Sequence, residues 1–164
     1  MPDAAPPVSA GTPAGPPPGL HRWTSRRVEV HDDSMQPTLR PGDRLRVDVR
    51  IYRTRAPAVG EIVVVVDPAA PSRWLVKRVA AVGPGRWWRT ARGLVPDVGR
   101  RPGSDEGRPG DAVETIELAP GSVWVLGDAA DASRDSRRFG AIPPPGIVGR
   151  AYYRYAPAAT RRDL

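Results

Sequence analysis

Ser34 lies in the stretch Asp33-Ser34-Met35-Gln36-Pro37-Thr38-Leu39-Arg40-Pro41-Gly42-Asp43, and Lys77 is the single lysine in a chain with 24 arginines. Arginine keeps its proton at physiological pH, whereas lysine can lose it when its surroundings disfavour charge. A lone lysine downstream of a serine in a turn therefore suits a base that activates a hydroxyl nucleophile. Taken alone, the lysine count also fits chance in an arginine-biased composition. The pKa of a free lysine is near ~10.4, so about one amine in a few thousand is neutral at pH 7. Lowering it to ~7–8 takes roughly 3 units, or about 4 kcal/mol, which burial among apolar side chains can supply.

The elements around these residues read as strands. Arg26 to Val30 alternates into the serine turn, and Pro37 disfavours helix at Gln36, so Ser34 should project from a rigid irregular segment. Met35 and Leu39 are expected to pack inward or to line a substrate groove, with plain core packing preferred for Leu39. Arg44 to Ile51 alternates strictly, as a strand with one buried face does. Ile62 to Val66 is apolar on both faces and β-branched, the pattern of a central strand. In the strand Trp74 to Val82, the two-residue period puts Lys77 with Leu75, Val79 and Ala81, and Arg78 on the opposite face. Ala112 to Leu118 and Ser122 to Leu126 should be two more strands, and Ile147 to Tyr155 a closing one. The expected fold class is all-β: a compact β-sheet or barrel domain over 26–156, with a disordered Pro/Ala-rich tail at 1–25, an inserted loop or hairpin at 83–111 and a free tail at 157–164.

Composition bounds the partners. Seven of the 21 prolines fall in the first 18 residues, which marks that end as extended tail. With no cysteine and two histidines, neither a metal centre nor another cofactor is expected. The longest strongly apolar run, Ile62 to Val66, is far below the roughly 20 residues of a spanning helix. A net charge of +7 suits anionic membrane surfaces, nucleic acid or acidic proteins, but the arginines are scattered in pairs. Without a helix-turn-helix pattern or zinc-finger spacing, nucleic acid is not expected as a partner. Trp87 and Trp88, beside Arg86 and Arg89, could enter a membrane interface or simply pack on the sheet.

The blocks Ser34-Met35-Gln36-Pro37-Thr38-Leu39, Gly42-Asp43, Lys77-Arg78-Val79, Gly127-Asp128 and Ser133-Arg134-Asp135-Ser136-Arg137-Arg138-Phe139-Gly140 resemble, in type and order, those of the signal peptidase I family of serine-lysine endopeptidases. The likeness runs from about Val28 to Tyr155. It implies that Ser34 attacks a peptide carbonyl with Lys77 as general base, that Ser133 orients the lysine amine, and that Asp135 and Arg137 form a buttressing ion pair. It also implies a substrate groove beside Met35 and Pro37. The expected substrates are precursor proteins with N-terminal leader peptides carrying small residues at the first and third positions before the cut.

Two departures from the family's pattern stand out. Many relatives carry a hydroxyl oxyanion donor two residues before the nucleophile, where this chain has Asp32; Asn commonly follows Gly-Asp in the later block, where this chain has Ala129. Relatives also carry anchoring helices ahead of the serine block. Here that stretch is Pro-rich, so the chain as read is expected to be soluble and cytoplasmic, with membrane attachment if the true start lies upstream. The alternatives are a soluble maturation peptidase of the nickel superoxide dismutase type, a self-cleaving SOS-repressor type cutting at Ala10-Gly11 or Ala14-Gly15, and a degenerate β-rich binding module.

Overall fold

A computed structural model describes residues 25–90, 93–97 and 114–164. The strands are β1 (Ser25–Glu29), β2 (Arg44–Asp48), β3 (Ile62–Asp67), β4 (Ala70–Val82), β5 (Gly85–Thr90), β6 (Gly93–Pro96), β7 (Glu114–Leu118), β8 (Val123–Leu126), β9 (Ile147–Ala156) and β10 (Arg162–Asp163). One four-residue helix, α1 (Ser136–Phe139), follows β8. The chain is mainly β, as its alternating patterns predict.

The larger sheet runs in the order β1-β2-β9-β3-β4-β8, with β10 added to β9, and every pairing is antiparallel. Central β3 is apolar on both faces because it is covered on both. Ile62 and Val64 join Val30, Met35, Leu39, Leu45, Val47 and Ala151 in one cluster, while Val63 and Val65 join Leu75, Val79, Val123, Val125 and Ile142 in another. The smaller sheet, β6-β5-β7, takes two of its strands from the 83–111 stretch, for which a loop or hairpin is expected; residues 91–92 and 98–111 of that stretch lie outside the described residues. Trp87 packs against the third cluster, formed by Ala81, Ile116, Leu118 and Trp124, and Trp88 is half-buried.

Three boundaries differ most from expectation, the first being that β4 begins at Ala70 and not at Trp74. The strand expected over 44–51 stops at Asp48, whose Oδ1 accepts from the backbone N–H groups of Arg50 and Ile51 and turns the chain into a single 3-10 turn. A short side-chain acceptor thus competes with the sheet ladder. Residues 157–164, expected as a free tail, are ordered by pairing instead. Arg162 and Asp163 lie opposite Arg154 and Tyr153, and the Leu164 amide donates to the Tyr152 carbonyl at 3.0 Å. Of the expected tail at 1–25, Ser25 begins β1, while residues 1–24, with both Ala-Gly pairs, lie outside the described residues.

Candidate active site

Ser34 sits in the loop between β1 and β2. That loop is closed at its base by Val30 N–H to the Asp43 carbonyl (2.9 Å) and Gly42 N–H to the Val30 carbonyl (2.8 Å), a reach-back that Gly42 allows with its φ of 87°. Inside the loop, the Leu39 amide donates to the Met35 carbonyl, and Arg40 N–H donates to Asp43 Oδ2 at 2.9 Å. Met35 and Leu39 are both fully buried in the first cluster. They anchor the turn, and Ser34, just before Met35, faces β4 instead.

Lys77 Nζ lies 2.5 Å from Ser34 Oγ, and the two side chains are 1% and 2% exposed respectively. β4 places the lysine opposite Val63 of β3, on the face shared with Leu75 and Val79. That burial pushes the amine below its ordinary pKa, against the opposing charges of Asp32 and Asp135, with Arg137 and Arg73 assisting. Lowering the amine's pKa raises the share of the form with a lone pair able to accept a proton from the serine hydroxyl.

Behind the pair runs the segment from β8 to α1. The Ala129 amide donates to the Ser34 carbonyl at 3.0 Å. A Cβ at Gly127 would meet Ser133 Oγ at 2.1 Å and the Ser34 carbonyl oxygen at 2.5 Å, so only glycine fits where the two loops touch. Asp135, fully buried, receives Arg137 in a two-pronged pair (2.9 and 2.7 Å) and the Gly127 amide at 2.9 Å. Burial opposes its ionisation, but these bonds outweigh it and hold the carboxyl at about 2.

A family model described as signal peptidase, peptidase S26, matches residues 22–95 and 98–156. The chain belongs to this signal peptidase family. It is 33% identical over 140 residues to a probable signal peptidase I-1 of Synechocystis sp., covering 79% of this chain and 70% of that protein. It is also 32% identical over 137 residues to the Arabidopsis thaliana mitochondrial ATP-independent inner membrane protease subunit 1a, covering 83% and 73%, and 35% identical over 129 residues to subunit 1b, covering 78% and 68%. The chain is accordingly a serine-type endopeptidase of the leader-peptidase class.

Within this signal peptidase domain the structure brings Ser34, Lys77, Ser133, Asp135 and Arg137 together, with two differences from expectation. Ser133 Oγ is buried without a hydrogen bond of ordinary geometry, so it does not bond the lysine amine; it lies near enough to Asp135 to help keep that carboxyl charged. Met35, expected beside a substrate groove, is wholly buried and serves as an anchor of the serine loop. Its direction follows from an irregular turn, which has no period to read. Pro37 is exposed and borders a cleft of about 690 Å³ with Thr38, Arg44, Arg154 and Arg162, and neither Ser34 nor Lys77 lines that cleft.

The composition of its loop suits Asp128 to turn-capping and ion pairing, without naming Arg78 as its partner. Arg78, facing away from Lys77, binds both Asp128 oxygens (2.8 and 2.7 Å) and the Gly60 carbonyl (2.8 Å), and reaches Thr38 Oγ1 at 3.4 Å. It ties the serine loop, β4 and the β8–α1 segment together from the side opposite the dyad. The adjacency of Arg78 to Lys77, and of Asp128 to Gly127, was the available signal.

Proposed function

We propose that Ser34 and Lys77 are the nucleophile and general base of an endopeptidase that removes leader peptides from precursor proteins. The observation that carries this is the 2.5 Å contact between a buried hydroxyl and the chain's one lysine amine. Ser34 Oγ attacks the scissile carbonyl while Lys77 Nζ takes its proton; the protonated amine then passes that proton to the leaving amine. Water, deprotonated by the same amine, releases the acyl group and restores the serine. Asp135 and Arg137 hold the segment against which the pair is set, and the fixed Gly127 contact keeps it close.

The preferred leaders have small residues at the first and third positions before the cut, as the family likeness implies. Incubating a leader-peptide library with the wild-type chain, Ser34→Ala and Lys77→Arg tests this by mass spectrometry. Cleavage after small residues by the wild type alone is expected. Equal cleavage by Ser34→Ala would remove the assignment.

A further inference from the structure

The reaction proposed above needs a donor for the oxyanion, and the backbone amide of the nucleophile is the nearest group of that kind. In this structure it is already engaged: Asp32 Oδ1 accepts from Ser34 N–H at 3.0 Å. That distance is one at which an amide would hold a tetrahedral oxyanion, and a carboxylate oxygen presents the same sign of charge. An ionised carboxylate accepts only, so Asp32 takes up the donor without supplying another. The residue is exposed, on the serine loop, with a path for its side chain into water. Its charge also favours the protonated form of Lys77, opposing the neutral amine.

We propose that Asp32 is a built-in stand-in for the oxyanion: its carboxylate occupies the Ser34 amide in the resting protein and must swing into solvent before a scissile carbonyl can take its place. The proposal rests on the reading of Ser34 as nucleophile. It makes Asp32 a restraint on turnover with two arms acting in the same direction, one on the donor and one on the base. The charged groups that bear on these arms are Lys77 and Arg73 around Asp32, and Asp32, Asp135, Arg137 and Arg73 around Lys77. The restraint separates by substitution. Asp32→Asn keeps an acceptor on the amide but removes the charge, Asp32→Ala removes both, and Asp32→Ser removes the charge, leaves only a weaker acceptor and adds a hydroxyl donor.

The test is the pH dependence of kcat and KM for the full chain and these three variants, on a leader peptide with small residues at the first and third positions before the cut. Since one oxyanion donor is worth about 10²–10³ in kcat, Asp32→Ala is expected to raise kcat by about tenfold or more, and Asp32→Ser further, with KM little changed. In all three variants the acid limb of the profile moves to lower pH, and in Asp32→Asn this movement occurs with little gain at the plateau. Unchanged or reduced kcat in both Asp32→Ala and Asp32→Ser, with turnover abolished by Ser34→Ala, overturns the inference and leaves the nucleophile assignment standing. Turnover that survives Ser34→Ala overturns both. If the variants fold poorly, the wild-type protein answers by NMR. The Ser34 amide proton should shift as pH falls through the carboxylate range, and an amide indifferent to that titration rules the inference out.

Discussion

At the scale of single residues, the balance around Lys77 decides what the site can do. Its amine is pushed below the ordinary lysine value, chiefly by burial. Between the folded and unfolded pKa values the unfolded chain binds the extra proton, so this group's burden on stability is relieved as pH rises through that window and is constant at its largest below it. Replacing Lys77 by methionine keeps the volume and removes the buried ionisable group. Lys77→Met is therefore expected to abolish leader cleavage while raising the melting temperature near neutral pH by a few degrees, as calorimetry would show. Asp135 has the opposite sign. Its carboxyl is held at about 2, so the pair with Arg137 contributes stability that is complete above the unfolded value near 3.8 and is lost as pH falls through about 2. That difference corresponds to roughly 2 kcal/mol. Denaturant midpoints of wild type and Asp135→Asn measured from pH 7 down to pH 2 should converge at the acid end.

At the scale of elements, the serine loop is held from two sides, and each hold predicts a different failure. Met35 and Leu39 fix it from the apolar side. Met35→Ala leaves a cavity beside Ser34, the proposed nucleophile, with an expected loss of about 2–5 kcal/mol in urea unfolding and a fall in kcat that exceeds any change in KM. Arg78 and Asp128 fix it from the polar side, across Thr38 and Gly60. Asp128→Ala leaves Arg78 half-paired, for an expected loss of about 1–3 kcal/mol and a drop in turnover that Asp128→Glu partly restores. These elements were legible to different degrees. The β3 run and the alternation in β4 were readable because a sheet imposes a period of two, which put Lys77 beside Leu75 and Val79 before any coordinates. The loop at 31–42 has no period, so the inward turn of Met35 and the capping of Ser34 by Asp32 could not be read from spacing. Asp48 ended β2 through its own side chain, an effect the apolar pattern of Val47, Val49 and Ile51 masked.

At the scale of the whole molecule, the seven-stranded sheet makes the site by long-range closure. Ser34 and Lys77 are 43 residues apart, and Arg78 and Asp128 are 50 apart. With 24 arginines and 18 acidic residues, the sequence offers too many ion pairs for one to be picked out by composition, whereas a single lysine and eight serines leave few pairs, of which the block around Ser34 favours one. That asymmetry explains why the proposed pairing of Ser34 with Lys77 is legible in the sequence and the Arg78–Asp128 pair is not. The ordering of residues 157–164 on β9 is not legible in the sequence for a related reason. Arg161-Arg162-Asp163 is polar throughout, and β10 is held by backbone pairing and by Arg162 donating to the Thr38 carbonyl at 2.9 Å, neither of which leaves an apolar pattern. Because β10 borders the strand that supports the serine loop, deleting residues 161–164 is expected to lower the melting temperature and to slow leader cleavage, measured together on the same preparation.

The proposed chemistry needs an amine that gives up its proton more readily than an ordinary lysine, and the single lysine makes this directly observable. In protein grown with ¹³C-labelled lysine, one side-chain signal reports Lys77 alone. Its titration is predicted to have a midpoint below the ordinary value of 10.5 and to move again in Ser34→Ala. A midpoint at or above the ordinary value, unmoved by removing the serine hydroxyl, would contradict the central claim.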